Sequence, residues 1–165
     1  IKSLPVIKRF CEKNNLSLEI ISNTGKNIEK EFYDNILKDY HFLVIDKDKN
    51  PYGSYSNLKS NAIIAGVDSQ FLYEAFSLGY RTAFFTSLGV LMNDLSRDFS
   101  WPNKVPDFGP FWANKFDSKK YSLILNNLLK ADKSEILSYY ERYSGVMFYD
   151  FSNTIIKKIL KNEGI

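Results

Sequence analysis

Residues 65–85 read AGVDSQFLYEAFSLGYRTAFF and carry the clearest pattern of secondary structure in the chain. The apolar run AIIAGV at 62–67 leads into polar residues that can cap a helix, and Gly79 ends that helix before a second apolar run, YRTAFFT at 80–86. The first run lacks polar alternation, which is typical of a parallel strand buried on both faces. A strand, a helix and a strand at this spacing predict a βαβ unit.

The same alternation of strands and helices extends over the rest of the chain. Further strands are predicted at 16–22 and 41–46, and helices at 3–14, 27–39, 54–59, 117–130, 132–144 and 153–162. Residues 93–116 are predicted to be irregular, with a short strand near Phe108. We therefore expect residues 1–165 to form a single α/β domain: a Rossmann-like, doubly wound parallel sheet with helices on both faces and a helical C-terminus.

Composition and charge favour a folded globular protein and argue against a nucleic-acid-binding role. The chain is 44% hydrophobic and 25% charged, which is typical of a folded globular protein. Its net charge of +3 comes without a long basic tract, so a dedicated nucleic-acid-binding role is not expected. The basic ends, KSLPVIKR at 2–9 and IIKKILKN at 155–162, fit the wet faces of helices, and peripheral contact with a membrane surface is the alternative.

The single cysteine and the hydropathy pattern bear on localisation. Cys11 lies on the apolar face of the first predicted helix, where a core position is favoured over a nucleophile. One cysteine cannot form an internal disulfide, which suits the reducing cytoplasm. No apolar run reaches about 18 residues, so a transmembrane helix is not predicted. We expect a cytoplasmic protein, with the inner face of the membrane as the alternative location.

Familiar cofactor and catalytic motifs are missing from the sequence. It contains no phosphate loop of the G-x-x-x-x-G-K-[ST] type, no G-x-G-x-x-G, no G-x-S-x-G and no Cys or His pair at metal-ligand spacing. Asp46 and Asp48 form a D-x-D pattern that can share a divalent ion, although the interleaved lysines favour a solvated loop. For His41, the only histidine, a structural role is favoured over that of a general base. Neither a metal nor a cofactor is predicted.

The strongest functional signal is the helix that follows residues 62–67. Asp68, Ser69 and Gln70 begin it at the carboxyl edge of the predicted sheet, where free N–H groups and the helix dipole attract phosphate. Glu74 follows about one and a half turns into a helix that has little wet face. Its carboxylate can accept hydrogen bonds from both hydroxyls of a ribose. The alternative makes Asp68 a simple cap and Glu74 a solvent-facing residue.

The stretch VDSQFLYEAFSLGYRTAFF at 67–85 resembles the donor-binding segment of GT-B glycosyltransferases and of the related non-hydrolysing UDP-N-acetylglucosamine 2-epimerases. In those proteins a strand is followed by D/S-S-x-x-x-x-E-A, a glycine and another strand. The stretch is most similar to bacterial surface-carbohydrate transferases of the form D-S-T-L-G-Y-E-A-L-A-x-G-x-x-V-A-F-F. GPFW at 109–112 and MFYDFSN at 147–153 extend the resemblance over most of the chain.

The resemblance implies a donor-binding role. Position by position, it assigns contacts with the nucleotide sugar to Lys26, Asp68, Ser69, Gln70, Tyr73, Glu74, Phe111 and Trp112. Ser69 and Gln70 would meet the phosphates, Glu74 would bind the ribose and Asp68 would shape the turn. Gln70 and Phe71 stand where relatives carry small residues, which keeps the backbone further from the phosphate.

The remaining assignments are less specific. Phe111 or Trp112 would lie against the base or a sugar ring, and the alternative is that these aromatics cover the edge of the sheet. Lys26 and Arg81 are the cations available to neutralise a diphosphate. The alternative for Arg81, which begins a predicted strand, is a solvent-exposed side chain without a ligand.

The sequence therefore predicts the nucleotide-sugar-binding, C-terminal domain of a two-domain GT-B glycosyltransferase acting in bacterial surface polysaccharide biosynthesis. The expected partners are a nucleotide-sugar donor and an N-terminal domain that supplies the acceptor contacts and the catalytic base, so no catalytic residue is assigned within 1–165. The isolated domain is expected to bind nucleotide without transferring sugar. Alternatives are an epimerase or hydrolase domain of the same fold, and a non-catalytic flavodoxin-like binding module. The base, sugar, acceptor, stereochemical outcome and oligomeric state are left open.

Overall fold

The structure is a computed structural model that describes residues 2–22, 27–45, 53–67, 69–101, 103–147 and 161. Within these residues it is an α/β fold with seven α-helices and two small parallel sheets, which confirms the predicted Rossmann-like class. The elements in chain order are α1 Ser3–Lys13, β1 Glu19–Ile21, α2 Asn27–Asp34, β2 His41–Leu43, α3 Gly53–Ser56, β3 Ile63–Gly66, α4 Gln70–Ser77, β4 Arg81–Phe85, α5 Leu88–Met92, β5 Trp112–Ala113, α6 Ser118–Lys130 and α7 Lys133–Tyr143. Short 3₁₀ turns occupy Leu95–Arg97 and Ser144–Val146.

The described strands form two parallel sheets in place of the single sheet expected. β1 pairs with β2, and a separate sheet has the order β3-β4-β5. In the larger sheet Ile63 lies opposite Arg81, and Phe84 lies opposite Trp112. All pairs run parallel, as the alternation of strands and helices predicted.

Helices cover both faces of the larger sheet. Successive side chains of a strand point to opposite faces of the sheet, so Phe84 and Phe85 of β4 lie on different faces. Phe84 meets Phe76 of α4, with ring centroids 6.0 Å apart, whereas Phe85 stacks on Tyr121 of α6 at 3.9 Å. The predicted doubly wound arrangement is therefore present around β4.

The βαβ unit formed by β3, α4 and β4 follows the sequence pattern closely. Ser69 is the N-cap residue of α4, and Gly79 adopts a φ of 83°, the left-handed conformation that ends many helices. The amide of Tyr80 then donates to the carbonyl oxygen of Ala75 at 3.0 Å, which satisfies an acceptor of the last turn. One expectation fails, because Ala65 is exposed and β3 is not buried on both faces. β3 lies at one edge of its sheet, so it has a neighbouring strand on one side only.

Several elements differ from expectation in their bounds or their presence. α2 ends at Asp34, before the predicted end at residue 39, where Asp39 adopts a left-handed φ of 52°. The short strand expected near Phe108 is Trp112–Ala113, and Phe108 makes only an antiparallel bridge to Ala113. α5 was not anticipated. The helix predicted at 153–162 lies outside the described residues, apart from Lys161.

The high aromatic content of the sequence goes into the core. Phe76, Phe84, Phe99, Phe111, Trp112 and Tyr121 are all at most 2% exposed. They lie between the β3-β4-β5 sheet and the helices that cover it, and the indole of Trp112 donates to the carbonyl oxygen of Pro106 at 2.9 Å. This aromatic core fixes the carboxyl edge of the sheet, where the predicted site lies.

Candidate functional site

Glu74 lies on the side of α4 that faces away from the sheet. Leu72, Ala75 and Phe76 form the buried face of the helix, whereas Glu74 is half-buried. Gln70 is one turn earlier on the same side, and its amide nitrogen Nε2 donates to Glu74 Oε1 at 2.9 Å. The packing of α4 against the sheet therefore holds the carboxylate at the carboxyl end of β3.

Tyr55 is a site residue that sequence reasoning missed. It belongs to α3, and its hydroxyl donates to Glu74 Oε2, so both carboxylate oxygens accept a hydrogen bond. Its ring meets Phe71 edge-on at 5.1 Å and is 38% exposed. No local pattern links positions 55 and 74, because only the fold brings α3 against α4. The arrangement shows that Glu74 can accept from hydroxyl and amide donors at this edge.

The start of α4 is open to solvent. Ser69 and Gln70 are both exposed, and the backbone of Ser69 is extended, with φ −147° and ψ 129°. The Ser69 hydroxyl makes no capping hydrogen bond to the helix. Three predicted site residues therefore share one surface: Ser69, Gln70 and Glu74. Asp68 and Lys26 lie outside the described residues.

Of the three predicted aromatic contacts, Phe111 and Trp112 are core residues, and Tyr73 is half-buried and packs against the core. The ring of Tyr73 lies 4.7 Å from that of Phe84 and stacks with Phe99 at 6.0 Å. Phe111 is 0% and Trp112 is 2% exposed. A ring that stacks on a base or a sugar needs an open face, and neither Phe111 nor Trp112 has one. Their placement matches the alternative in which these aromatics pack against the sheet.

The remaining sequence candidates lie away from the Glu74 surface. Arg81 is the first residue of β4, at the amino edge of the sheet, and donates to the carbonyl oxygens of Ala131 at 2.8 Å and Asn61 at 3.3 Å. His41 is exposed at the amino end of β2. Cys11 packs in the core, and burial raises the pKa of its thiol, which fits the structural role favoured from sequence.

A buried polar cluster joins the carboxyl ends of β4 and β5. Thr86 and Asn114 are 2% and 4% exposed, and the Thr86 hydroxyl donates to Asn114 Oδ1 at 2.5 Å. The amide of Phe99 donates to the same oxygen at 2.8 Å. These bonds tie the segment after α5 to the sheet edge. Thr86 and Asn114 directly follow the two strands, which is the signal that could have identified them.

Asp98 lies beside this cluster in an unfavourable setting for a charge. Its Oδ1 atom is buried and has no hydrogen-bond partner among the described residues. Burial raises the pKa of Asp98, the charge of Asp107 raises it further, and Lys115 opposes the shift. A Cβ atom at Gly89 would lie 2.2 Å from Asp98 Oδ1, so α5 approaches the carboxylate closely only because residue 89 is glycine.

The part of the chain that the structure describes offers neither a metal-binding cluster nor a membrane-spanning helix. Within the described ranges, no three or more His, Cys, Asp or Glu side chains are grouped so as to hold a metal ion. Asp46 and Asp48 fall outside those ranges. Of the helices that the structure describes, none combines the length and apolar character needed to cross a bilayer.

A protein-family model described as "putative O-antigen biosynthesis protein" matches residues 3–164. The chain belongs to this family. O-antigen is a carbohydrate of the bacterial surface, so membership of the O-antigen family supports the surface-carbohydrate context that the resemblance of residues 67–85 implied. No curated protein and no solved structure matches the chain.

Proposed function

We propose that residues 1–165 form the nucleotide-sugar-binding domain of a glycosyltransferase in O-antigen biosynthesis. The observation that carries this proposal is the Glu74 carboxylate, held at the carboxyl edge of the sheet by Tyr55 and Gln70. Ligands of open α/β sheets generally bind at this edge. The family description and the resemblance of residues 67–85 to donor-binding segments support the same assignment.

In this proposal Glu74 binds the ribose of the donor. A carboxylate has about four lone-pair sites, so it can accept both ribose hydroxyls while Gln70 keeps it oriented. Tyr55 donates to one of the same oxygens, and an arriving ribose either displaces this hydroxyl or shares the oxygen with it. The exposed start of α4 at Ser69 and Gln70 faces the phosphates, where the N-terminal end of the helix dipole stabilises negative charge.

Transfer itself would require groups that this domain does not supply. The helix start would stabilise the leaving diphosphate electrostatically, whereas a second domain would provide the acceptor and the base. The domain alone would therefore bind nucleotide without turnover, and without a metal or another cofactor. The aromatic side chains of Tyr73, Phe111 and Trp112 would not contact the donor. They would position α4 by packing between it and the sheet.

Calorimetric titration with UDP, GDP and CMP tests the proposal. We expect the wild-type protein to bind at least one of them and Glu74→Ala to weaken that binding by roughly tenfold or more, since hydrogen bonds to a charged group contribute about 1.5–3 kcal/mol each. Glu141→Ala is the matched control, because Glu141 is an exposed glutamate on another helix, α7. Equal binding by Glu74→Ala and wild type, or no binding by wild type, would overturn the role of Glu74.

A further inference from the structure

A groove of about 540 Å³ lies between α1 and the segment that joins α2 to β2. Its charged lining consists of Lys8, Arg9 and Lys38, with Glu12 as the one carboxylate. None of its lining residues belongs to α3 or α4, which carry the Glu74 surface. We propose that this groove binds a phosphate group, carried either by a soluble organic phosphate or by an anionic lipid headgroup.

Backbone carbonyls hold two of the three cations in place. The Lys8 ammonium donates to the carbonyl oxygen of Asp39 at 2.8 Å, and Arg9 Nε donates to that of Pro5 at 3.2 Å. With Nε bound to the helix, the two terminal nitrogens of the Arg9 guanidinium remain to form a planar fork. Such a fork matches two oxygens of a phosphate, which a lysine ammonium cannot do.

The groove carries an excess of positive charge that its own carboxylate does not neutralise. Glu12 lies 3.6 Å from the Lys8 ammonium, which leaves the charges of Arg9 and Lys38 uncompensated within the groove. The Lys8 side chain is only 16% exposed, so its charge acts in a medium less polar than bulk water. This lining therefore favours a negatively charged ligand.

The uncharged lining suits the organic part of such a ligand. Pro5, Ile36 and Leu37 complete the wall, and Leu37 is only 4% exposed. Inorganic anions gain little from apolar contacts, whereas a phosphate ester can place its carbon skeleton against them. Fixed cations beside apolar side chains therefore point to a phosphate ester.

Binding of inorganic pyrophosphate and of vesicles tests the proposal and distinguishes the two sources of phosphate. The probes are pyrophosphate, followed by NMR, and sedimented vesicles of phosphatidylcholine with or without phosphatidylglycerol. The double variant Arg9→Gln/Lys38→Gln removes two exposed groove cations. Lys104→Gln/Arg142→Gln is the matched control, with the same change in charge at exposed positions outside the groove.

We expect wild type and the control variant to bind pyrophosphate, the anionic vesicles or both, and the groove variant to bind about tenfold more weakly or worse, because two charge-assisted contacts are lost. Pyrophosphate binding alone supports a soluble phosphate ligand, and vesicle binding alone supports a lipid headgroup. The proposal is overturned if wild type binds neither probe, or if the groove variant and the control variant have the same affinity. Thermal unfolding of both variants verifies that they fold.

Discussion

Two carboxylates near the carboxyl edge of the larger sheet differ in how their oxygens are satisfied. Glu74 receives a hydrogen bond at each oxygen, from Gln70 and from Tyr55. Asp98 has a buried oxygen without a partner among the described residues and a raised pKa. A buried carboxylate oxygen without a hydrogen-bond partner favours the protonated form of its group. The charge on Asp98 therefore lowers the stability of the folded protein.

Asp98→Asn is expected to raise the melting temperature at pH 7 and to have a smaller effect near pH 3. The folded-state pKa of Asp98 is raised above the ordinary value of 3.8, so both states are protonated at low pH and carry no penalty. As pH rises through the ordinary value and then the raised one, ionisation costs the folded state stability. Asparagine does not ionise. Melting temperatures measured between pH 3 and pH 7 test this. An equal melting temperature for Asp98→Asn and wild type at pH 7 would show that the charge on Asp98 does not destabilise the protein.

For Asp132→Asn we expect a change in melting temperature opposite to that of Asp98→Asn. Asp132 caps α7, and the hydroxyl of Ser134 and the amide of Glu135 lower the pKa of its carboxyl group. A lowered pKa stabilises the folded state above the ordinary value, and this contribution is lost as pH falls through the lowered one. We therefore expect Asp132→Asn to lower the melting temperature at pH 7, with the difference from wild type narrowing in acid.

At the scale of the element, β5 depends on the turn before it. Gly109 and Pro110 reverse the chain, and the amide of Gly109 donates to the carbonyl oxygen of Trp112 at 3.0 Å. The Trp112 indole lies directly over Gly109, so that a Cβ atom there would be 2.2 Å from ring carbons. The ring is buried against Phe99 and Phe111 and cannot move aside easily.

Gly109→Ala is expected to destabilise the protein by about 1–3 kcal/mol, because the methyl group overpacks a filled core. Gly145→Ala is the matched control, since a Cβ atom at Gly145 meets nothing within 4 Å. We expect that control to stay within about 0.5 kcal/mol of wild type. Urea denaturation measures both changes, and similar values for the two variants would show that the contact with Trp112 is not what excludes a side chain at position 109.

At the scale of the whole molecule, burial is distributed unevenly between the two sheets. Thr82, Ala83, Phe84 and Phe85 of β4 are at most 3% exposed, with α4 and α6 on opposite faces. The smaller sheet has strands of three residues, and α2, which lies between them in sequence, has no buried residue. Local opening requires less free energy where fewer apolar contacts are lost.

Native-state hydrogen exchange is expected to separate these two regions. The amide of Phe84 donates to Phe111 at 2.9 Å and that of His41 donates to Leu18 at 2.8 Å, so the two bonds are of similar length. Phe84 is buried and His41 is exposed. We expect the Phe84 amide to exchange only through global unfolding and the His41 amide through a smaller opening. Equal opening free energies for both amides would contradict this difference.

Much of the fold was predictable because its signals are local. The N-cap position at Ser69, the glycine at 79 that ends the helix and the two apolar runs on either side are close together in sequence, and β3, α4 and β4 form where these signals predict. Prediction from sequence fails for features that depend on contacts between residues far apart in the chain. The exposure of Ala65 and the division into two sheets depend on which strands become neighbours, which no local pattern specifies.

The candidate site divides in the same way. The α/β class, the helix after β3 and the position of Glu74 about one and a half turns into that helix were predictable from sequence, because helical periodicity and caps act over a few residues. The contact between Tyr55 and Glu74 and the burial of Phe111 and Trp112 in the core became visible only in the folded protein. The physical reason is that burial of aromatic rings and contacts between helices depend on how distant segments pack together.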